Sequence, residues 1–126
     1  MLMNLLQVAL GGALGAMARY LTTTSVTRLI GHGFPLGTMV ANVLGGLAMG
    51  ALVVILAHRQ ATHFAPFLIT GLLGGFTTFS AFSLDAVTLF ERGQTGAAAL
   101  YVGASVGLSI AALWAGMYLT RMGFSA

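Results

Sequence analysis

The sequence has no cysteine and very little charge. Only 6% of its 126 residues are charged, while 58% are hydrophobic; in an average soluble domain about a quarter of the residues carry charge. The lack of cysteine excludes disulfides, thiolate metal sites and thiol nucleophiles. The scarcity of charge excludes an ordinary soluble domain, because too few polar groups are present to cover a surface in water. The sequence therefore predicts an integral membrane protein.

Ionisable residues are also too sparse for most soluble activities. The net charge is +3, but five arginines scattered along so apolar a chain form no basic stripe for nucleic acid. The three histidines fall in or beside predicted loops, and no HExxH, GxSxG or phosphate-loop pattern occurs. We therefore expect neither a nucleic-acid partner nor an enzymatic activity.

Long uncharged stretches dominate the chain, and they occupy residues 1–18, 29–58, 60–84 and 93–120. A helix of about 20 apolar residues crosses a bilayer. The spacing thus predicts an all-α fold with four membrane spans, joined by short loops in a single transmembrane domain over residues 1–126. The predicted spans are about 3–24, 37–57, 65–90 and 97–120.

The arginines give almost no orientation bias. One end of the predicted bundle carries Arg59 and Arg121, and the other carries Arg28 and Arg92, with Arg19 toward that same end. An excess of Arg and Lys on cytoplasmic loops normally fixes orientation. Two alternatives therefore stay open: a single orientation held by packing, or a dual topology in which oppositely oriented copies pair.

Small residues recur at four-residue spacing in every predicted span, and such rows let helices approach closely in lipid. Four helices that pack against one another leave little room for a pore between them. A homodimer is the simplest arrangement that gives this chain an internal pathway.

Polar side chains inside a span are costly and mark candidate sites. Span 2 places Thr38 and Asn42 on one face, and span 4 places Tyr101, Ser105 and Ser109 on one stripe. At 1.5 Å per residue the three hydroxyls cover about 12 Å. The stripe fits either the path of a partly dehydrated polar species or hydrogen bonds that join helices.

Span 3 contains a segment that is a poor helix core, GGFTTFS at residues 74–80. We expect the helix to break there. Non-helical backbone at membrane depth is tolerated where it is buried in protein or lines a cavity, and it leaves carbonyls free to bind an ion. The alternative is a simple kink.

Two phenylalanines follow this segment on one helix face, Phe79 and Phe82, with Ser80 beside them. An aromatic ring has a positive edge, so a ring presented edge-on attracts an anion without a full charge. The alternative is ordinary packing of phenylalanine in lipid.

The string GGFTTFSAFS at residues 74–83 resembles the Fluc (CrcB) family of fluoride channels. So do Gly37-Thr38, the run NVLGG at residues 42–46, and GGALG at residues 11–15 followed by Arg19-Tyr20. The resemblance covers essentially the whole chain, including its length and its number of spans.

This resemblance implies a dual-topology, antiparallel homodimer in the bacterial inner membrane, with a broken third helix and two pores through which fluoride leaves the cell passively. It implies a structural Na⁺ between the subunits, held by the backbone carbonyls of Gly74 and Thr77, and it places Arg19 near a vestibule. The residues expected along the fluoride path are Asn42, Phe79, Phe82, Ser80, Tyr101, Ser105, Ser109 and Thr38.

Two positions depart from the family pattern. Ala81 stands where a threonine is common, and Asp85 stands where glutamate is expected. Any role assigned to these two side chains is therefore open, whereas a site made of backbone carbonyls does not depend on them.

A small four-helix, proton-coupled multidrug exporter is the alternative function. Such an exporter needs a carboxylate in span 1, and the sequence has none there. A structural subunit of a larger complex would not need Asn42 together with the hydroxyl stripe. The fluoride channel remains the function that the sequence favours.

Overall fold

The structure is a computed structural model in which residues 1–125 are described. Every regular element in this part of the chain is helical, which confirms the predicted all-α class. A 3₁₀ turn, Thr62–Phe64, precedes helix α3, which spans residues 66–76 and consists of a π-helical segment, Pro66–Leu73, and one α-helical turn, Gly74–Phe76. The other helices are α1 (Leu2–Ile30), α2 (Leu36–His58), α4 (Ser80–Glu91) and α5 (Thr95–Ser125).

Three segments of residues 1–125 are long and apolar enough to cross a membrane: Leu36–His58, Thr62–Glu91 and Thr95–Ser125. They identify the chain as a membrane protein, as predicted. Helix α1, which contains the first predicted span, is not among them, although it runs six residues past the predicted end at residue 24.

Glycine allows two pairs of helices to pack with their backbones in contact. A Cβ atom at Gly75 of α3 would lie 2.7 Å from the Gly12 carbonyl oxygen of α1. A Cβ atom at Gly46 of α2 would lie 2.8 Å from the Ser109 carbonyl oxygen of α5. Larger side chains at these positions would separate the helices, as expected of small residues at contacts in lipid. The bundle therefore contains two tightly packed pairs, α1 with α3 and α2 with α5.

The buried core lies between α2, α4 and α5. It consists of the side chains of Met39, Phe82, Leu89, Ala98 and Tyr101. Outside this core most large apolar side chains are exposed; Trp114, for example, is 70% exposed. Such a surface suits contact with lipid, where apolar exposure carries no penalty.

The chain leaves the helical conformation at residues 77–79, which we call the interruption. Gly74 still has helical angles, φ −62° and ψ −37°, whereas Thr77 is extended, with φ −88° and ψ 157°. Helix α4 then begins at Ser80. The glycine pair that motivated the sequence argument thus belongs to the helix, and Thr77 is where the backbone changes direction.

Candidate functional site

A groove of about 410 Å³ opens on the side of the bundle where α2, the interruption, α4 and α5 meet. Its lining is mostly apolar, and its polar side chains are one amide and four hydroxyls. No ionisable side chain is among the lining residues, which are Asn42, Gly46, Met49, Thr77, Thr78, Phe79, Phe82, Ser105, Val106, Ser109, Ile110 and Leu113. An apolar cavity with a few placed polar groups is the usual form of a small-ligand site.

Asn42 holds the interruption by two hydrogen bonds to one residue. Its Nδ2 donates to the Thr78 carbonyl at 2.9 Å, and its Oδ1 accepts from the Thr78 N–H at 2.7 Å. These bonds satisfy the backbone groups that lose their helical partners where the chain is extended. Because an amide NH₂ has two hydrogens, Asn42 keeps one further donor.

Three other side chains fix the backbone around the interruption. The Thr77 hydroxyl donates to the Leu73 carbonyl at 2.9 Å, and Arg19 of α1 donates from Nε to the Gly75 carbonyl at 3.1 Å. The Thr78 hydroxyl accepts from the Ala81 N–H at 3.1 Å, which satisfies a free N–H at the start of α4. The interruption is therefore held by α1 and α2 as well as by its own residues.

The carbonyl groups of Gly74 and Thr77 are among those left without a donor beside these contacts in the described part of the chain. Within residues 1–125 no hydrogen bond reaches the carbonyl oxygens of Gly74 and Thr77, whereas the Gly75 and Thr78 carbonyls are both paired. Free carbonyl oxygens at a helix interruption are the groups that coordinate alkali cations in membrane proteins. The carbonyl oxygens of Gly74 and Thr77 therefore fit the role of Na⁺ ligands.

Phe79 and Phe82 lie together at the groove but differ in exposure. Their ring centroids are 5.4 Å apart with an interplanar angle of 50°. Phe82 is 7% exposed and also contacts the ring of Tyr101, with centroids 5.3 Å apart, while Phe79 is 76% exposed. Phe82 thus belongs to the core, and Phe79 lies at the open side of the groove.

The three hydroxyls of the predicted stripe have different surroundings. Ser105 and Ser109 line the groove, and the Ser105 hydroxyl is buried without a hydrogen-bond partner in residues 1–125. Tyr101 is fully buried, does not line the groove, and donates to Asp85 Oδ2 at 3.0 Å. Ser105 and Ser109 therefore line the groove, whereas Tyr101 packs on the ring of Phe82 outside the groove lining.

The remaining predicted site residues lie outside the groove lining. Thr38 is buried at 9% exposure, Ser80 is exposed and lies 3.2 Å from the Thr78 hydroxyl, and Arg19 contacts the backbone of α3.

The apolar wall of the groove was not among the residues predicted from the sequence. This wall continues the helical spacing of the predicted polar residues: Gly46 lies four residues after Asn42, and Leu113 lies four after Ser109. That spacing was the available signal. Thr78 was predicted only as part of the GGFTTFS segment; its role in holding the interruption, through its hydroxyl and both backbone groups, was not predicted.

Known proteins resemble this chain along nearly its whole length. The family model described as "CrcB-like protein, Camphor Resistance (CrcB)" matches residues 6–117. A protein of Cereibacter sphaeroides named "Fluoride-specific ion channel FluC" is 67% identical over 121 residues, which cover 96% of this chain and 97% of that relative. Proteins with the same name from Ruegeria sp. and Agrobacterium fabrum are 61% and 49% identical over 122 residues each, covering 96% and 95% of this chain and 97% and 98% of those relatives.

The fold and the groove define the chain first as a helical membrane protein with an uncharged, partly polar groove beside a helix interruption. Since the family model covers most of the chain and the relatives are this similar, the chain belongs to the CrcB family. The resemblance inferred from the sequence motifs is therefore confirmed.

Proposed function

We propose that this chain is a fluoride-specific ion channel that lets fluoride leave the cell passively. Membership in a family whose relatives carry that name supports the proposal. The structural observation that carries it is the groove itself, which combines hydroxyl donors with an aromatic pair and has no ionisable lining residue. Such a lining suits an anion that must be stabilised without being trapped by a fixed charge.

Fluoride is small and strongly hydrated, so a pore must replace its water with donors of its own. The spare Asn42 hydrogen and the Ser105 and Ser109 hydroxyls supply such donors along the groove. Phe79 and Phe82 add positive ring edges. Thr38, Tyr101 and Ser80 lie beside this path and complete the set of fluoride-path residues predicted from the sequence. In this proposal Arg19 lies near the vestibule of the pore.

The working unit in this proposal is a dual-topology, antiparallel homodimer with two pores. In it, α1, α2 and α5 each span the membrane, and α3 and α4 form a broken third span. The groove of one protomer is open to one side, and the apolar Phe79 is 76% exposed there. An inverted second copy covers this side, and symmetry then gives two equivalent pathways.

A structural Na⁺ at the dimer centre is part of the same proposal. The unpaired carbonyls of Gly74 and Thr77, one set from each protomer, would hold it. When bound, Na⁺ supplies a positive field in a low-dielectric region, where a charge acts far more strongly than in water. This chain's own contribution is to keep those two carbonyls free while Arg19 and Asn42 engage their neighbours.

We place the channel in the bacterial inner membrane, as a multi-pass protein. Its function is tested by reconstituting the purified chain into liposomes loaded with fluoride or chloride and following efflux with ion-selective electrodes. We expect rapid fluoride efflux and little chloride efflux, with no requirement for a proton gradient.

Equal fluoride and chloride efflux would overturn the selectivity, and the absence of fluoride efflux would overturn the channel. Drug efflux driven by a proton gradient would instead support the multidrug exporter. The control is a liposome preparation with the same lipid and no protein.

A further inference from the structure

A second cavity, of about 380 Å³, lies at the end of α1 and is unrelated to the groove. The residues that line it all carry polar groups on their side chains, and they are Thr23, Thr24, Thr27, Arg28 and His32. The first four residues share one face of the last turns of α1, and His32 follows the helix end. We call this cavity the α1-end pocket.

The α1-end pocket lies level with the start of a membrane-spanning segment. A Cβ atom at Gly37 would lie 2.9 Å from the Thr23 carbonyl oxygen. The first turn of α2 therefore packs directly on Thr23, one of the residues that line the pocket. Because Leu36–His58 is long and apolar enough to span a membrane, its first turn marks the depth of the membrane surface. The pocket is therefore at the depth of lipid headgroups.

The chemistry of the pocket selects an oxyanion. Arg28 offers a planar set of N–H donors, His32 an imidazole and the threonines hydroxyls, while neither acid of the chain, Asp85 or Glu91, lines the pocket. Only Thr23 uses its hydroxyl, on the Tyr20 carbonyl; the other four side chains make no hydrogen bond within residues 1–125. Several unpaired donors around a space far wider than one water suit a tetrahedral group better than a halide.

We propose that the α1-end pocket binds a phosphate group, with Arg28 as the principal donor and Thr27 and His32 as supporting donors. Two sources share this chemistry: the headgroup of an anionic phospholipid and free inorganic phosphate. The proposal does not depend on conduction through the groove, so its test is a binding measurement.

The test uses the delipidated full-length protein and native mass spectrometry. The added probes are dioleoyl phosphatidylglycerol, dioleoylglycerol, which has the same chains without phosphate, and inorganic phosphate as a competitor. We expect phosphatidylglycerol to bind and dioleoylglycerol not to bind. Arg28→Gln should weaken binding roughly tenfold or more, since it removes a charge-assisted contact. Thr27→Val should weaken it less.

The matched control is Arg92→Gln, which removes an exposed arginine at the same end of the bundle but outside the pocket. Competition by millimolar inorganic phosphate would identify free phosphate as the ligand, and binding that resists competition would identify the lipid headgroup. Unchanged binding in both pocket variants, or an equal loss in Arg92→Gln, would overturn the proposal.

Discussion

Ser105 is a buried serine whose hydroxyl has no hydrogen-bond partner within residues 1–125, yet it lines the groove. An unpaired donor of this kind is costly unless an anion or water accepts from it. We predict that Ser105→Ala lowers fluoride efflux by about tenfold, because roughly 1 to 2 kcal/mol of anion stabilisation is lost. The thermal unfolding midpoint should not fall, since removal of an unpaired buried group leaves no broken bond.

The control for this prediction is Ser83→Ala. The Ser83 hydroxyl already donates to the Phe79 carbonyl at 2.9 Å and does not line the groove, so its loss should leave efflux nearly unchanged. Normal efflux in Ser105→Ala would remove this serine from the pathway.

The two phenylalanines of the groove should respond differently to the same substitution. Phe79→Leu changes a ring that is 76% exposed and should reduce fluoride efflux without lowering the thermal stability of the protein. Phe82→Leu changes a ring that is 7% exposed and packs on Tyr101, so it should lower both. Efflux assays and thermal unfolding, with size-exclusion chromatography to monitor assembly, separate the two effects. Unchanged efflux in Phe79→Leu would contradict the ring-edge role.

The interruption depends on residues far from it in the chain. Asn42, 36 residues before Thr78, bonds both backbone groups of Thr78. We predict that Asn42→Leu abolishes efflux and lowers stability by about 1 to 3 kcal/mol, because two backbone groups lose their partners. Met49→Leu, in the same groove but with no hydrogen bond to lose, is the control for a new leucine. Wild-type stability in Asn42→Leu would show that water replaces the amide.

The hydrogen bond from Arg19 to the Gly75 carbonyl, next to the interruption, can be tested in the same way. We predict that Arg19→Met reduces the stabilisation of the protein by NaCl relative to choline chloride, because the Gly75 carbonyl loses its donor and the free carbonyls beside it lose their fixed positions. Arg19→Gln, whose amide nitrogen stands at the same position along the side chain as the Arg19 Nε, keeps an N–H donor and should retain more of this sodium effect. The measurement is the difference in unfolding midpoint between the two salts. An equal sodium effect in all three proteins would contradict the positioning role.

Elements were predicted better than the contacts that shape them. The uncharged stretches predicted four spans, and the three segments of membrane-spanning length each cover one of them; α1, with its arginines, is helical over its predicted span but less apolar. The glycine pair predicted a helix break by low helix propensity, whereas Gly75 packs against α1 and the extended residue is Thr77. Helix propensity depends on neighbouring residues, so it cannot predict the contacts of Asn42 and Arg19, each of which joins residues distant in sequence.

At the scale of the whole molecule, the arginine distribution bears on orientation. At one end of the bundle, Arg59 directly follows α2 and Arg121 lies near the end of α5. Arg28 and Arg92 lie at the other end. The count differs only by Arg19, which contacts α3 within the bundle. A charge difference this small gives little preference for either orientation. The groove, open on one side of a single protomer, adds a reason for inverted pairing.

We predict that the chain inserts in both orientations in roughly equal amounts. Because the chain has no cysteine, one cysteine can be introduced at either face: Gly33→Cys in the α1–α2 loop, where a Cβ atom meets no neighbour, or Ser125→Cys at the end of α5. A membrane-impermeant maleimide applied to intact cells should label about half of each variant, and lysed cells should give full labelling as the control. Complete labelling of one variant and none of the other would establish a single orientation, and an inverted dimer would then be impossible. Equal partial labelling of the two variants, together with cross-linked dimers, would support the inverted dimer. Only oppositely inserted copies can present both ends of the bundle to the same side of the membrane.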